Sequence, residues 1–459
     1  MTINQIKING FPFIDLLEME LEQQVNMHPT AVVKGHIAQP EASLFLQQAT
    51  AEKLLVITAN DSEGTGHTLF SGVLSGLSCI TANDASTVVL QGIGHSSLCD
   101  VRREIRVFQD GGMTYEQVCQ SLTSQPGASF IVPENGADAT GGMLVQYEET
   151  DWEFARRIAG RLGTVLIADA RLDFPNISIG IPSGGKVYQE DPLEYTMVMD
   201  VAAYRDLKEN GVRAVEDGQR GICYKSRQFY SLCDQVVVDG VGRLVYRRKI
   251  SLEGSELIAA YELRTREGFQ TREQHNMHLI GASLAGSVEK VEKDQVQVSL
   301  AYDVEGGGKR WFAYSTPYSS PDGTGWYFMP EPGDEIRLHF PTQEEDAAYV
   351  VSSTHITHGN RSDPEVKFIR TQRGQEITFA PDSIHITDGN GSSIRMDKKQ
   401  GITLKTSKGI KIDAADDISI KGKSGVVVEG GKSVQIRQND SLVQVQETID
   451  ITAAHVRVQ

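Results

Sequence analysis

From Ile402 onward an apolar-x-apolar doublet returns every eight residues: Ile402/Leu404, Ile410/Ile412, Ile418/Ile420, Val426/Val428 and Val434/Ile436. Glycine stands just before the doublet at Gly401, Gly409 and Gly425. The spacing of two inside each doublet is that of a strand, and the period of eight leaves room for one very short strand and one tight corner. Neither a helix nor a stack of ordinary hairpins has this period. The pattern predicts a β-helix or β-prism, a rod whose inward face must be buried against neighbouring units.

Such short strands cannot satisfy their own backbone N–H and C=O groups. Two arrangements fit the period. Three octads of one chain could close a coil of about 24 residues, or three chains could each donate strands to an intertwined triangular prism. The first leaves bare ends and a thin core. The second brings the doublets of three copies onto a shared axis and protects the strand edges, so it is the favoured expectation, with Ile402, Leu404, Ile410, Ile412, Ile418, Ile420, Val426, Val428, Val434 and Ile436 as the trimer core.

The rest of the chain limits what this rod is attached to. A length of 459 residues exceeds a single core, and 39% apolar residues with 44 glycines suits a folded, turn-rich β protein. A net charge of -17 argues against a general nucleic-acid binder, which needs basic residues to displace counterions. The N-terminus lacks the pattern of a secretory signal, and no stretch reaches the roughly 18 apolar residues of a membrane span. Assembly in the cytoplasm is the expectation. Cys79, Cys99, Cys119, Cys223 and Cys233 contain no CxxC pair and read as free thiols.

Before about residue 100, runs such as Leu54–Ile57 and Thr87–Leu90 between glycines read as strands of a barrel or sandwich. Thr114 and Gln117 have capping-box spacing, and so do Thr150 and Glu153, with Asp151 a rival cap. Phe154, Ile158 and Leu162 follow on one helical stripe, Gly163 supplies the stop, and Val165, Leu166 and Ile167 form a strand. Asp239-Gly240 reads as a hairpin turn. A break near Gly281–Gly286 precedes four or five short strands that suggest a small closed barrel of the oligonucleotide/oligosaccharide-binding type. Residues 358–375 form a polar connector, and the doublets Ile384/Ile386 and Ile394/Met396 open the rod in a looser register.

Candidate chemistry is sparse. Glu148, Glu149, Asp151 and Glu153 are close in sequence, but their position around a helix cap points to capping and a solvated surface. Glu331, Asp334 and Glu335 read as a strand-entry turn. His355/His358 form an HxxH pair, and His385 and His455 lie on the rod, yet the last two alternate out of phase with their apolar neighbours and should face solvent. The run Glu305–Arg310 lacks the spacing of a phosphate loop and reads as a hairpin turn. Trp311, Trp326 and Tyr327 are expected to pack in the small barrel's core. No catalytic residue, cofactor or metal is assigned.

Two segments carry a family resemblance. Gln146–Asp169, QYEETDWEFARRIAGRLGTVLIAD, resembles the hub segment of VgrG-like spike proteins of contractile injection systems, as found in type VI secretion and phage tails. Gly323–Phe340, GTGWYFMPEPGDEIRLHF, resembles the same family's barrel signature. The resemblance covers the whole chain in order and implies a mainly β fold. It implies a tail-hub-like domain at 1–280 with two barrel-like subdomains, a barrel at 281–357, a connector at 358–375 and a trimeric β-helical spike at 376–459. It further implies a homotrimer without enzymatic activity that caps the inner tube and punctures the target envelope, touching the target membrane transiently and leaving the cytoplasm on firing. The implied partners are an inner-tube (Hcp-like) protein, baseplate proteins and a PAAR-like tip protein or separate effector. A receptor-binding or envelope-degrading tail component is the alternative. Only about 20 residues separate barrel and rod, too few for an inserted muramidase, and no fused toxin is expected after the last doublet. The strand exit PTQEEDAAYVVSS departs from the secretion-system pattern, so the particular contractile system stays open.

Overall fold

The computed structural model describes residues 5–38, 42–50, 52–60, 64–82, 85–351 and 361–445. They fall into two compact units, Met1–His355 and Ile356–Gln459.

In the first unit the largest element is a twelve-stranded sheet assembled from two distant stretches of sequence. Strands Ile6–Ile8, Leu54–Asn60, Gly66–Ala82, Ala85–Gly94, Thr30–Ile37 and Asp15–Gln24 are joined to Val241–Glu253, Glu256–Arg264, Arg220–Ser226 and Thr196–Met199. The seam is the antiparallel pairing of Asp15–Gln24 with Val241–Glu253, in which Gln23 lies opposite Arg248. Asp239 and Gly240 both have positive φ and close the hairpin between Gln235–Val238 and Val241–Glu253, as the Asp-Gly pair requires.

A second module carries helices Tyr115–Gln120 and Asp151–Arg161 against the three-stranded sheet of Ser129–Ile131, Leu166–Ala168 and Asn176–Ile179. Both capping boxes form, Thr114 with Gln117 and Thr150 with Glu153. Gly163 has φ +65° just past the second helix, a conformation that glycine adopts without strain. A third module is the sheet ordered Trp311–Ala313, Gln295–Leu300, Ser283–Glu292, Glu335–His339 and Tyr349–Val351.

The modules share walls. In the run Val165–Ala168, Val165 and Ile167 enter the large sheet's core while Leu166 and Ala168 enter the helical module's core. The paired strands Arg103–Phe108 and Leu144–Thr150 do the same on the other side: Phe108 and Leu144 face the helices, and Val107, Met143 and Val145 face the five-stranded sheet. Strand alternation with apolar residues on both faces produces these double-sided walls.

The expected barrels and β-helix are not formed. Among the described residues no sheet closes. The large sheet ends at Ile6–Ile8, at Thr196–Met199 and, on a branch through Gln235–Val238, at Val187–Gln189, strands of three or four residues that each pair with one neighbour. The ends of the five-stranded sheet meet only at the isolated bridge between Tyr314 and Val350, because residues 314–334, where a closing strand would lie, are turns and loops. In the second unit, the strands Lys367–Arg370, Glu376–Ala380, Ser383–Thr387, Ser393–Asp397 and Gly401–Lys405 form an open antiparallel meander. Residues 406–433 contain no strand, and a hairpin of Val434–Gln438 with Ser441–Val445 follows. Successive octads therefore do not stack into coils, since none offers a backbone ladder to the next within one chain.

Candidate functional site

The meander of the second unit is held by local turn chemistry. Asp397 Oδ1 accepts from the backbone N–H groups of Lys399 and Gln400 at 2.9 and 3.1 Å, an Asx turn that reverses the chain before Gly401. Asp388 Oδ1 does the same for Asn390 and Ser392 at 2.8 and 2.9 Å. These bonds hold the Asp397 and Asp388 carboxyls below the usual range.

The fixed register sorts the side chains by face. Ile369, Ile377, Ile386, Ile394 and Leu404 stand opposite one another across all five strands. Phe379, Ile384, Met396 and Ile402 form a parallel row that ends at Lys367. Directly opposed residues share a face, so nine apolar side chains line one side of the sheet. The other side presents Arg370, Glu376, Thr378, Thr387, His385, Ser393, Arg395, Thr403 and Lys405, with Phe368 its single large apolar residue. His385 lies on the polar side, as its phase against Ile384 and Ile386 required.

Eight of the nine apolar residues are more than a third exposed. Ile410, Ile412, Ile418, Ile420, Val426, Val428 and Ile436 are exposed as well, while Val434 is half-buried. Ile402, Ile412 and Ile420 are 70–72% exposed, values that would be costly for side chains with no partner, at about 25 cal/mol per Å² of apolar surface. Monomeric proteins rarely present contiguous apolar patches beyond a few hundred Å². A depression of about 520 Å³ lined in part by Ile386, Ile394, Leu404 and Ile410 lies where the sheet meets the doublet that follows it. The exposed face also includes Ile369, Ile377 and Phe379, which the doublet pattern did not cover; their signal was the alternation in Ile377-Thr-Phe379 and its match to the following doublets.

The carboxylates of the first unit are placed differently from the expected solvated surface. Glu149 and Asp151 are buried. Arg157 donates to both oxygens of Glu149 at 2.8 and 2.9 Å, and to Glu345 Oε1 at 2.8 Å. Burial pushes the Glu149 carboxyl up even beside Arg157, and the two carboxylates keep Arg157 firmly protonated against the cost of its own burial. Asp151 accepts from Ser124, Gln146 and Arg106. Burial opposes its ionisation, but these bonds hold its carboxyl below the usual range.

One arrangement has the residue types of a hydrolase. His28 Nδ1 lies 2.8 Å from Ser96 Oγ, and its Nε2 lies 3.3 Å from Asp100 Oδ2. Ser96 is 1% exposed, however, and the imidazole lies against Trp152 with ring centroids 4.0 Å apart and the planes tilted by 38°. A sealed hydroxyl offers no approach to a substrate, and the trio ties the chain around the second helix's cap, where Thr150 donates to Asp100. Among the described residues no group of three or more His, Cys, Asp or Glu is placed to hold a metal, and no helix is long and apolar enough to cross a membrane. His355, His358 and His455 lie outside the described residues. Trp326 and Tyr327 do not pack in a core: they are 51% and 69% exposed.

No family model and no curated protein matches the sequence. Solved structures give the class of fold. The E. coli c3393 protein is described as a component of the type VI secretion system with structural similarity to the T4 bacteriophage tail proteins gp27 and gp5. It matches with a TM-score of 0.51 at 16% identity, over 75% of this chain and 98% of its own. Two structures of the Francisella PdpA–VgrG complex match with TM-scores of 0.53 and 0.52 at 9% and 10% identity, over 85% of this chain and 84% and 94% of theirs. At these identities the shared property is the fold.

Proposed function

We propose that this chain is a structural, non-catalytic component of a contractile injection or phage-type tail apparatus and works there as a homotrimer. The observation that carries the reading is the apolar sheet face, continued by the exposed doublets from Ile410 to Ile436. Two further copies supply what that surface lacks, an apolar counterpart and, for residues 406–433, backbone partners. The fold shared with the E. coli and Francisella proteins supports the same assignment.

In this reading residues 1–280 form the hub-like region that meets an inner-tube (Hcp-like) protein and the baseplate. Residues 281–357 follow it, 358–375 connect, and 376–459 project toward the target envelope and puncture it. A PAAR-like tip protein or a separate effector occupies the far end. The particle assembles in the cytoplasm and is delivered outward on firing. Sedimentation equilibrium of the full-length protein tests the proposal: a mass of three chains is expected, and a stable monomer with the tail protected from proteolysis overturns it.

A further inference from the structure

The loop that fails to close the five-stranded sheet is itself an ordered surface feature. Ser319 and Gly325 form an antiparallel bridge, Trp326 N donates to Tyr318 O at 2.9 Å, and Ser320 N donates to Thr324 O at 2.9 Å. A side chain at Gly325, where φ is +141°, would meet the Tyr318 carbonyl at 2.4 Å, so the tight approach requires glycine. Tyr318 and Trp326 are opposite one another across this small hairpin and emerge on the same side. Phe328 is two residues further on, its ring centroid 5.7 Å from that of Trp326. All three rings are at least half exposed, while Tyr327 turns to bond the Lys293 carbonyl at 2.9 Å.

Polar groups with spare capacity border these rings. Asp322 Oδ1 takes both bonds from Thr324, at 3.0 Å from N and 2.6 Å from Oγ1, leaving Oδ2 as an acceptor. The Tyr318 hydroxyl accepts from Ser320 Oγ at 3.3 Å and keeps its own proton to donate. From Trp311 to Asp334 the sequence holds Asp322, Glu331 and Asp334 and no lysine or arginine. That charge balance disfavours polyphosphates and anionic lipid surfaces.

We propose that Tyr318, Trp326 and Phe328 form a stacking platform for a neutral oligosaccharide, with Asp322 and the Tyr318 hydroxyl bonding its hydroxyl groups. A sugar ring offers an apolar C–H face for the aromatic surface and a rim of hydroxyls for the acceptor and donor beside it. The loop's internal hydrogen bonds hold the platform in place before the ligand arrives, which lowers the ordering cost of binding.

The test uses the full-length protein in its native assembly. Its three tryptophans are Trp152, buried, Trp311, half-buried, and Trp326, exposed, so emission changes and iodide quenching report chiefly on Trp326. Titration with hexamers of β-1,4-linked N-acetylglucosamine, of β-1,4-linked glucose and of α-1,4-linked glucose is expected to give a saturable emission change and protection from iodide with at least one. Trp326→Ala and Tyr318→Ala should each weaken binding by about tenfold or more, measured by calorimetry, and Trp311→Phe should not. The proposal is overturned if none of the three sugars gives a saturable response at millimolar concentration, or if the alanine variants bind as well as wild type. It is also overturned if Trp326 is already shielded from iodide before sugar is added, which would place a second copy or another protein on the rings.

Discussion

Arg157 Nη1 donates to Glu345 Oε1 at 2.8 Å across 188 residues of sequence. Both side chains are buried. Arg157 belongs to the helix Asp151–Arg161, and Glu345 opens the turn before the last strand of the five-stranded sheet. Arg161 reaches the other oxygen of Glu345 at 3.4 Å, and Arg157 also caps the Val145 carbonyl at 2.6 Å on the shared wall. The ion cluster therefore fastens the helical module to the five-stranded sheet through the strand that both bury.

Removing one member of such a cluster leaves a buried charge with fewer partners, which costs far more than the cluster's net worth. Glu345→Ala is expected to destabilise the first unit by about 3 kcal/mol. Urea unfolding followed by the emission of Trp152, buried on the same helix, reads this directly. A midpoint equal to wild type would show that the cluster adds nothing to the junction.

Asp151 gives the acid limb of stability a residue-level cause. Its carboxyl titrates lower in the folded chain than its ordinary value of 3.8. The unfolded state thus binds the proton more readily, and the stabilisation is fully present above about pH 4 and lost as pH falls through the folded value. Asp151→Asn should flatten this limb below about pH 4 and cost about 1–3 kcal/mol at neutral pH, where Ser124 and Arg106 lose a charged acceptor. An unchanged slope of unfolding free energy against pH would refute the assignment.

Thr150 works at both ends of its hydroxyl. Its Oγ1 accepts from Glu153 N at 3.1 Å and donates to Asp100 Oδ1 at 2.5 Å. Thr150→Ala should cost about 1–2 kcal/mol, the upper part of the range for lost caps, and Thr150→Ser should recover most of it. Equal thermal midpoints for the alanine and serine variants would show that the hydroxyl is not what matters.

What could be read from the sequence was what is encoded locally. Both capping boxes, the Gly163 stop and the Asp239-Gly240 hairpin depend on a few consecutive residues, and each formed as its spacing indicated. Glu149 and Asp151 were misread as solvated because their burial depends on Arg157, Glu345, Ser124 and Arg106, contacts that no local pattern announces. Closure of the sheets was misjudged for the same reason: strands could be counted, but whether the two ends of a sheet meet is a long-range property. The octads were legible as an apolar repeat. Their pairing was not, because among the described residues 406–433 form no strand and so join no ladder within one chain. The exposed rings of Trp326 and Tyr327 show the opposite failure, since hydrophobic residue type alone suggested a core they do not enter.

The trimer reading makes a face-specific prediction. Ile377 sits second in the apolar row, between Ile369 and Ile386, and Thr378, its chain neighbour, on the polar side of the same strand. Ile377→Asp would place one carboxylate per copy into a shared apolar contact, where desolvation and mutual repulsion oppose association, so the oligomer should fall to monomers in sedimentation velocity. Thr378→Asp should leave the sedimentation coefficient unchanged. Ile410→Asp and Ile418→Asp carry the test beyond the meander: if the exposed octads are buried between copies, these also dissociate the assembly or leave residues 406–445 open to protease. Dissociation by Ile377→Asp alone would confine the interface to the sheet, and wild-type mass and protection for all three isoleucine variants would remove the apolar face and the octads from the interface altogether.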